Sequence, residues 1–511
     1  MTVDFNAPDI DYAAISPQIA LMAGICAVLL VSVLGKATNR NLVTSTSLLG
    51  LGSALGLMIW QSDRNTDLVA GALRLDGLAA SAAIICIGVA IYAALLGVGE
   101  PAFFENGQSR HGEFNALLLT SVLGMVQLAS AQNLVALFIA LELLSIPLYV
   151  MSGFARGRRE SLESGLKYLI VGSLGSATVL YGSAFIYGGS GSTDFGAIAA
   201  ALGDGGLASD PLIGIGIALL TVGLAFKVSI APFHQWTPDV YQGAPTTVTG
   251  FMAVATKVAA FAVFVRLFEV ALGPAASNWQ PALAALAALS ILVGNLGALG
   301  QSSLKRLLGW SGVAQGGYML VGLLVASEVG VNALIFYLAG YALMNLAAFS
   351  VIAIRERESN LGDSLSAVEG LGGERPALAW ALTISMLALA GLPGTVGFFG
   401  KLYLIEAAVD GEYTWLGIVI VIGSMISLGY YLRVIAAIWM RSAPDPASLA
   451  TSALGPIDGG SPEGEREASG SRLLIVPLAL VAAAAVFFGI LPDPLVDFAK
   501  DAGRDLIATV K

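Results

Sequence analysis

Residues 246–264 read TTVTGFMAVATKVAAFAVF. Small, apolar and hydroxyl side chains fill this stretch, with one charge, Lys257, near its middle. The hydrocarbon core of a bilayer is about 30 Å thick and an α-helix rises about 1.5 Å per residue, so about 20 such residues cross it. The stretch therefore predicts a transmembrane helix. A charge at the bilayer centre costs about 2.5–3.5 kcal/mol on insertion scales, so Lys257 asks for a functional reason.

Working outward, similar apolar runs recur along the whole chain. They fall at 16–34, 42–60, 77–98, 114–131, 133–152, 163–187, 211–231, 246–270, 279–300, 305–325, 330–354, 376–409, 414–440 and 473–491. Fourteen runs predict an all-α polytopic membrane protein of about fourteen transmembrane helices. The twelfth run is too long for one straight crossing, and GLPG at 391–394 interrupts it. The first run follows Asp4, Asp9 and Asp11 rather than basic residues, so it is read as a retained helix and not a signal peptide. Residues 188–210 are read as a short outside loop. The Pro-, Gly-, Ser- and Glu-rich stretch 441–472 is read as a flexible cytoplasmic loop.

The composition agrees. The 511 residues are 56% hydrophobic and only 12% charged, which leaves too little polar surface for soluble domains. A net charge of -10 excludes a basic nucleic-acid binder. Two cysteines, Cys26 and Cys86, and two histidines, His111 and His234, are too few for an iron–sulfur or zinc site at the usual spacings. The chain is expected to hold no redox cofactor and no metal. GFFGK at 397–401 looks like the end of a phosphate-binding loop, but Thr395 replaces its first glycine and Leu402 its Ser or Thr.

Loop charge predicts orientation. With the N-terminus outside, the inside loops and adjoining span ends hold Lys36, Arg40, Arg110, Arg156, Arg158, Arg159, Lys167, Lys305, Arg306, Arg355, Arg357, Arg375, Arg441, Arg466 and Arg472. The outside segments hold few, Arg64, Arg74 and Arg504 among them. Both termini are then expected on the outer side.

Three other charges lie as deep as Lys257. Glu142 sits in NLVALFIALELLSIPLYVM, Lys227 in LLTVGLAFKVSIAPFHQW and Lys401 after the break in GLPGTVGFFGKLYLI. Glu142 and Lys257 are too deep to reach water along their own helices. Lys227 either snorkels from the end of its run or, if PFHQW continues as a half-helix, lies nearer the midplane. Arg266 and Arg433 are read as snorkelling span ends and Glu406 as solvated. A desolvated lysine beside a carboxylate can exchange a proton reversibly, so an acid followed by three lysines supplies the parts of a proton path. Backbone freed by GLPGT is tolerated only where it packs on protein or lines a cavity. His234, in APFHQWTPDVYQGAP, either gathers protons at the inside mouth or caps a loop.

Runs 4–8 and 9–13 form two blocks of five, at 114–270 and 279–440, preceded by a three-helix segment at 1–113 and followed, after the loop, by a C-terminal helix and tail at 473–511. The fourth run of each block carries a lysine near a proline, Lys227 before Pro232 and Lys401 after Pro393. Five helices reverse the starting side, so the blocks would be inverted repeats.

Four long motifs resemble the antiporter-like subunits of complex I: FKVSIAPFHQWTPDVYQGAPTTVTGFMAVATK at 226–257, GLPGTVGFFGK at 391–401, SLKRLLGWSGVAQGGYML at 303–320 and NLVALFIALELLSIPLYV at 133–150. The resemblance covers essentially the whole chain. It implies inverted five-helix repeats with discontinuous helices 7 and 12. It implies that Glu142 pairs with Lys227, that Lys257 is the central relay and that Lys401 hands protons outward. It also implies a bacterial inner membrane, other membrane-arm subunits as partners, and FMN, iron–sulfur clusters and quinone held by partner subunits. Gln315 stands where sister subunits often carry His, and no acid in the tenth run mirrors Glu142. The alternative reading is a subunit of a cation/proton antiporter or membrane hydrogenase with the same fold. A purely structural scaffold and an autonomous small-solute transporter are more distant readings.

Overall fold

The computed structural model describes residues 10–34, 40–105, 108–204, 206–325, 327–359, 361–443 and 471–510. The expected loop at 441–472 falls almost wholly outside the described residues, as do Lys36 and Arg466.

Helices dominate. The first segment holds α1 (Ser16–Leu34), α2 (Arg40–Trp60) and α3 (Gly77–Gly97), with a hairpin of β1 (Thr66–Leu68) and β2 (Leu73–Leu75) before α3. A second small hairpin, β3 (Phe104–Glu105) with β4 (Gln108–Ser109), precedes α4 (His111–Ser130). Then come α5 (Leu134–Ser152), α6 (Arg159–Ser190), α7 (Phe195–Asp204), α8 (Pro211–Lys227), α9 (Trp236–Gly243) and α10 (Thr246–Val265), which runs on through a π-helical turn at Arg266–Ala271. The rest is α11 (Ala276–Leu299), α12 (Leu304–Leu324), α13 (Glu328–Glu358), α14 (Leu371–Glu374), α15 (Pro376–Ala390), α16 (Val396–Asp410), α17 (Thr414–Met440), α18 (Ser471–Ile490) and α19 (Asp493–Val510).

Every apolar run corresponds to a helix or a broken pair of helices. Among the described residues, eleven helices are each long and apolar enough to cross a membrane, or twelve if α18 and α19, bent by 83°, form one span. The run at 211–231 stops early, at Lys227, and α8 is too short by itself. The run at 376–409 breaks at GLPGT into α15 and α16, as expected.

Two readings need correction. Residues 188–210 are not simply a loop, because they contain α7. Asp194 accepts from the Ala197 amide at 2.9 Å at its start, and Phe195, Ile198 and Leu202 are buried on one face. The tail after residue 492 is a helix, α19, whose buried Leu495, Ala499 and Ala502 recur at helical spacing. Both helices escaped a search for 20-residue apolar runs because one is short and the other is amphipathic.

The core is organised around α10. Every residue from Thr246 to Val265 is buried, and α12 and α13 are nearly as enclosed. By contrast α1, α2, α6 and α17 expose large apolar side chains. A helix apolar on all sides and wrapped by others is a core element even by membrane standards. Lys257 therefore lies at the centre of the molecule.

Candidate functional site

The site begins on α5, whose first turn is capped by Asn133 accepting from the Ala136 amide at 2.6 Å. Glu142, Ser145 and Tyr149 are spaced three and seven residues apart, so they share a face. Lys227 is the last residue of α8. The helix stops there because the backbone turns through Ser229, at φ 62°, into a Pro232 that cannot supply an amide hydrogen. The chain then resumes as α9, so PFHQW does lead into a half-helix.

Lys227 does not snorkel. It is buried, and its Nζ donates to Ser145 Oγ at 2.6 Å and lies 5.8 Å from the centre of the Tyr168 ring. The resemblance implied that Glu142 pairs with Lys227; the carboxylate is near enough to act on the lysine's charge but makes no direct hydrogen bond to it. The ammonium sits one helical turn further along α5, on Ser145. Glu142 is half-buried, and its Oε1 is buried without a hydrogen-bond partner.

Lys257 reaches the same break from α10. Its Nζ donates to Val228 O at 2.6 Å and to Gly312 O, on α12, at 2.9 Å. Val228 follows Lys227 directly, so the interrupted helix joins two lysines through one residue. A Cβ on Gly316 would stand 3.2 Å from Val228 O and 3.5 Å from Lys257 Nζ, so glycine keeps this seat open.

Lys401 repeats the arrangement at the second break. Its Nζ donates to Leu389 O at 3.1 Å and Ala390 O at 2.9 Å, the last carbonyls of α15, and lies 5.0 Å from the Tyr318 ring centre. Helix C-termini present unpaired carbonyls and partial negative charge, which is what a buried ammonium lacks in hydrocarbon.

Between Lys257 and Lys401 runs a polar stretch of α12. Gln315 Nε2 donates to Leu389 O at 3.4 Å, the carbonyl that Lys401 also uses, and to Tyr431 Oη at 3.4 Å. Tyr337 Oη donates to Gln315 Oε1, and Ser311 Oγ is 2.5 Å from Tyr431 Oη. Gln315, which cannot titrate, is thus a hydrogen-bonding bridge. His234 is buried rather than set in an open mouth, with its ring edge-on to Trp310 at 4.9 Å between centres and Nδ1 unpartnered.

Sequence reasoning missed several buried groups. Ser145 gave no signal beyond its spacing from Glu142. Lys305, read as a loop-proximal lysine, is fully buried, donates to Ala244 O at 2.7 Å and lies 3.6 Å from Glu356 Oε1. Beside it, Glu100 Oε2 accepts from Thr247 Oγ1 at 2.7 Å and from Arg357 Nη2 at 3.3 Å. Burial pushes the Glu100 carboxyl up, but Arg357, Thr247 and Lys305 outweigh it and hold the group below the usual carboxylate range. Arg266, read as snorkelling, is fully buried at the opposite end of α10 and is paired with Asp76. An acid just before α3 could have suggested that pairing. Arg433 reaches Leu299 O at 2.8 Å near the end of α11, and Glu406 is exposed as expected.

Residues 131–427 match the family described as the transmembrane part of the NADH:quinone oxidoreductase and Mrp antiporter proteins. A protein of Desulforamulus reducens named NADH-quinone oxidoreductase subunit N is 35% identical over 499 residues, 98% of this chain and 99% of its own length. Its counterpart of the same name in Ectopseudomonas mendocina is 41% identical over 444 residues, 86% of this chain and 85% of its own. The chain belongs to the NADH-quinone oxidoreductase subunit N family. A chain of respiratory complex I from Thermus thermophilus is similar in structure, with a TM-score of 0.76 and 32% identity over 95% of this chain and 100% of that one. A chain of the Mrp complex from Dietzia sp. superposes with a TM-score of 0.82 at 21% identity, covering 98% of this chain and 100% of that one. That last likeness shows a common fold alone.

Proposed function

We propose that this chain is a proton-translocating membrane-arm subunit of a respiratory NADH:quinone oxidoreductase. Protons move along Lys227, Lys257 and Lys401, with Gln315 and bound water bridging the last step. The observation that carries this reading is the seating of three buried lysines at or beside the two helix breaks, with Gln315 and Lys401 sharing Leu389 O. Lys257 and Lys401 are held by carbonyls at helix breaks, and Lys227 ends the first broken helix. No nucleophile or metal is needed for a proton to step between such groups. His234 is the candidate for proton uptake. The chain's partners would be the other membrane-arm subunits, and the FMN, iron–sulfur clusters and quinone would be held by partner subunits of the complex. Quinone reduction would thus occur outside this chain and act on Glu142 and Lys227 at a distance.

In this reading α8 with α9, and α15 with α16, are single interrupted crossings. The fourteen runs are then fourteen crossings, with 114–270 and 279–440 as inverted repeats. The basic loops support an orientation with the Glu100 end inside, the Asp76 end outside and both termini outside a bacterial inner membrane.

The test is NADH-driven proton uptake by inverted membrane vesicles carrying Lys227→Ala, with NADH-to-ferricyanide activity as the assembly check. Loss of proton uptake and quinone reduction with ferricyanide activity retained is the expected result. Wild-type behaviour in all three assays would reject the reading and favour a cation/proton antiporter subunit.

A further inference from the structure

Lys227 has two possible partners on α5, and the structure shows which one it takes. Glu142 and Ser145 are three residues apart on a regular helix, so their Cβ atoms lie about 5–6 Å apart and face the same way. The ammonium is on Ser145. Ser145 is fully buried and donates its own hydroxyl hydrogen to Leu141 O, so its lone pairs are turned toward the lysine. The hydroxyl can accept from the ammonium but has no hydrogen left to offer. Glu142 Oε1, meanwhile, is buried with no partner. The geometry is that of a charge parked beside a carboxylate rather than on it.

We infer that Ser145 is a positioning residue: its hydroxyl is a second seat that holds the Lys227 ammonium apart from Glu142. The inference rests on the proton-path reading above and adds to it a residue that decides where Lys227 waits. Lys227 ends its helix and has a flexible four-carbon stem, so a swing of one helical turn lies within its reach. On Glu142 the ammonium is held by a full charge. On Ser145 it is held by a neutral oxygen, and it lies beside the break that Lys257 occupies through Val228. Without the serine, leaving Glu142 would mean leaving every hydrogen-bond partner on α5, with only the Tyr168 ring face nearby. The ammonium would then stay with the carboxylate and transfer toward Lys257 would stall.

The experiment uses membranes containing the whole complex. Ser145→Ala is expected to slow NADH-driven proton uptake about tenfold, the scale of one hydrogen bond to a charge, with ferricyanide activity unchanged. Ser145→Thr, which keeps the hydroxyl, is expected to restore uptake to within about twofold of the wild-type rate. In a Glu142→Gln background the carboxylate trap is gone, so adding Ser145→Ala is expected to lower uptake less than about twofold further. A merely structural serine predicts independent effects in the two backgrounds. Wild-type uptake in Ser145→Ala, or the same tenfold loss in both backgrounds, overturns the inference. If Ser145→Ala fails to assemble, Ser145→Cys decides: it nearly keeps the volume but weakens the acceptor, and wild-type uptake there overturns the inference as well. Lys227→Ala run in parallel separates the two levels. If it pumps normally the proton-path reading fails, whereas if only the serine variants pump normally the second seat alone fails.

Discussion

At the scale of single residues, the molecule keeps its buried lysines and Glu100 charged in apolar surroundings by giving each a specific oxygen or nitrogen. Lys227 has a hydroxyl, Lys257 and Lys401 have backbone carbonyls, and Glu100 has a guanidinium and a hydroxyl. Glu100 allows a pH argument. Its carboxyl is held below the usual range in the folded chain, so the stability it contributes is present above the unfolded value and is lost as pH falls through the folded one. Glu100→Gln keeps a hydrogen-bonding group but removes the charge opposite Arg357. It is expected to cost about 1–3 kcal/mol near neutral pH and to flatten the loss of stability in acid. Stepwise heating of the solubilised complex at several pH values, with the chain followed on native gels, checks this. Equal acid sensitivity in the variant and the wild type would show that Glu100 contributes no such linkage.

At the scale of elements, the breaks carry the function and the long helices carry the breaks. Gly391 ends α15 at φ 83°, a left-handed conformation that costs a non-glycine residue about 1–2 kcal/mol. It is also tight, since a Cβ there would lie 2.9 Å from Lys401 Cδ and 3.2 Å from its Nζ. Gly394, three residues further along the same break, has the same φ of 83° but open space where a Cβ would go. The pair separates backbone strain from displacement of the lysine. Gly391→Ala is expected to lower proton uptake per assembled complex about tenfold or more, whereas Gly394→Ala carries the backbone cost alone and loses less than about threefold. Equal losses in the two variants would mean that the seat of Lys401 does not matter. This element scale is also where the sequence was most legible. Long apolar runs, and charges inside them, are read directly, because hydrocarbon tolerates few alternatives. The split at GLPGT follows from Pro393 and its glycines. The stop of α8 at Lys227 was less visible, since the apolar pattern continues through VSIA while the backbone does not. The seat of Lys227 was not legible at all, because spacing puts Glu142 and Ser145 on one face without saying which of them the lysine meets.

At the scale of the whole molecule, α10 is pinned at both ends by charge and left apolar between Lys257 and Arg266. At one end Thr247 bonds Glu100. At the other, Arg266 is paired with Asp76, and its Nε donates to Ala129 O at 2.6 Å. Asp76 also caps α3, accepting from the Ala79 amide at 2.9 Å. One guanidinium thus ties α10, α3 and the end of α4 around the central axis. Both Arg266 and Asp76 are buried, so the pair holds the helices in register but adds little net stability over an apolar contact. Breaking it from one side is a different matter. Arg266→Met leaves the buried Asp76 carboxylate with only the more distant Arg74 as countercharge, whose Nε is 4.0 Å away, and is expected to cost about 3 kcal/mol, read as loss of the chain from the assembled complex in membranes. Adding Asp76→Asn removes the stranded charge while an amide oxygen still caps α3. The double variant is therefore expected to recover most of the assembled complex and to pump normally per complex, because Arg266 lies away from the lysine path. A double variant that assembles no better than Arg266→Met would show that the guanidinium acts through its bond to Ala129 and packing rather than by neutralising Asp76.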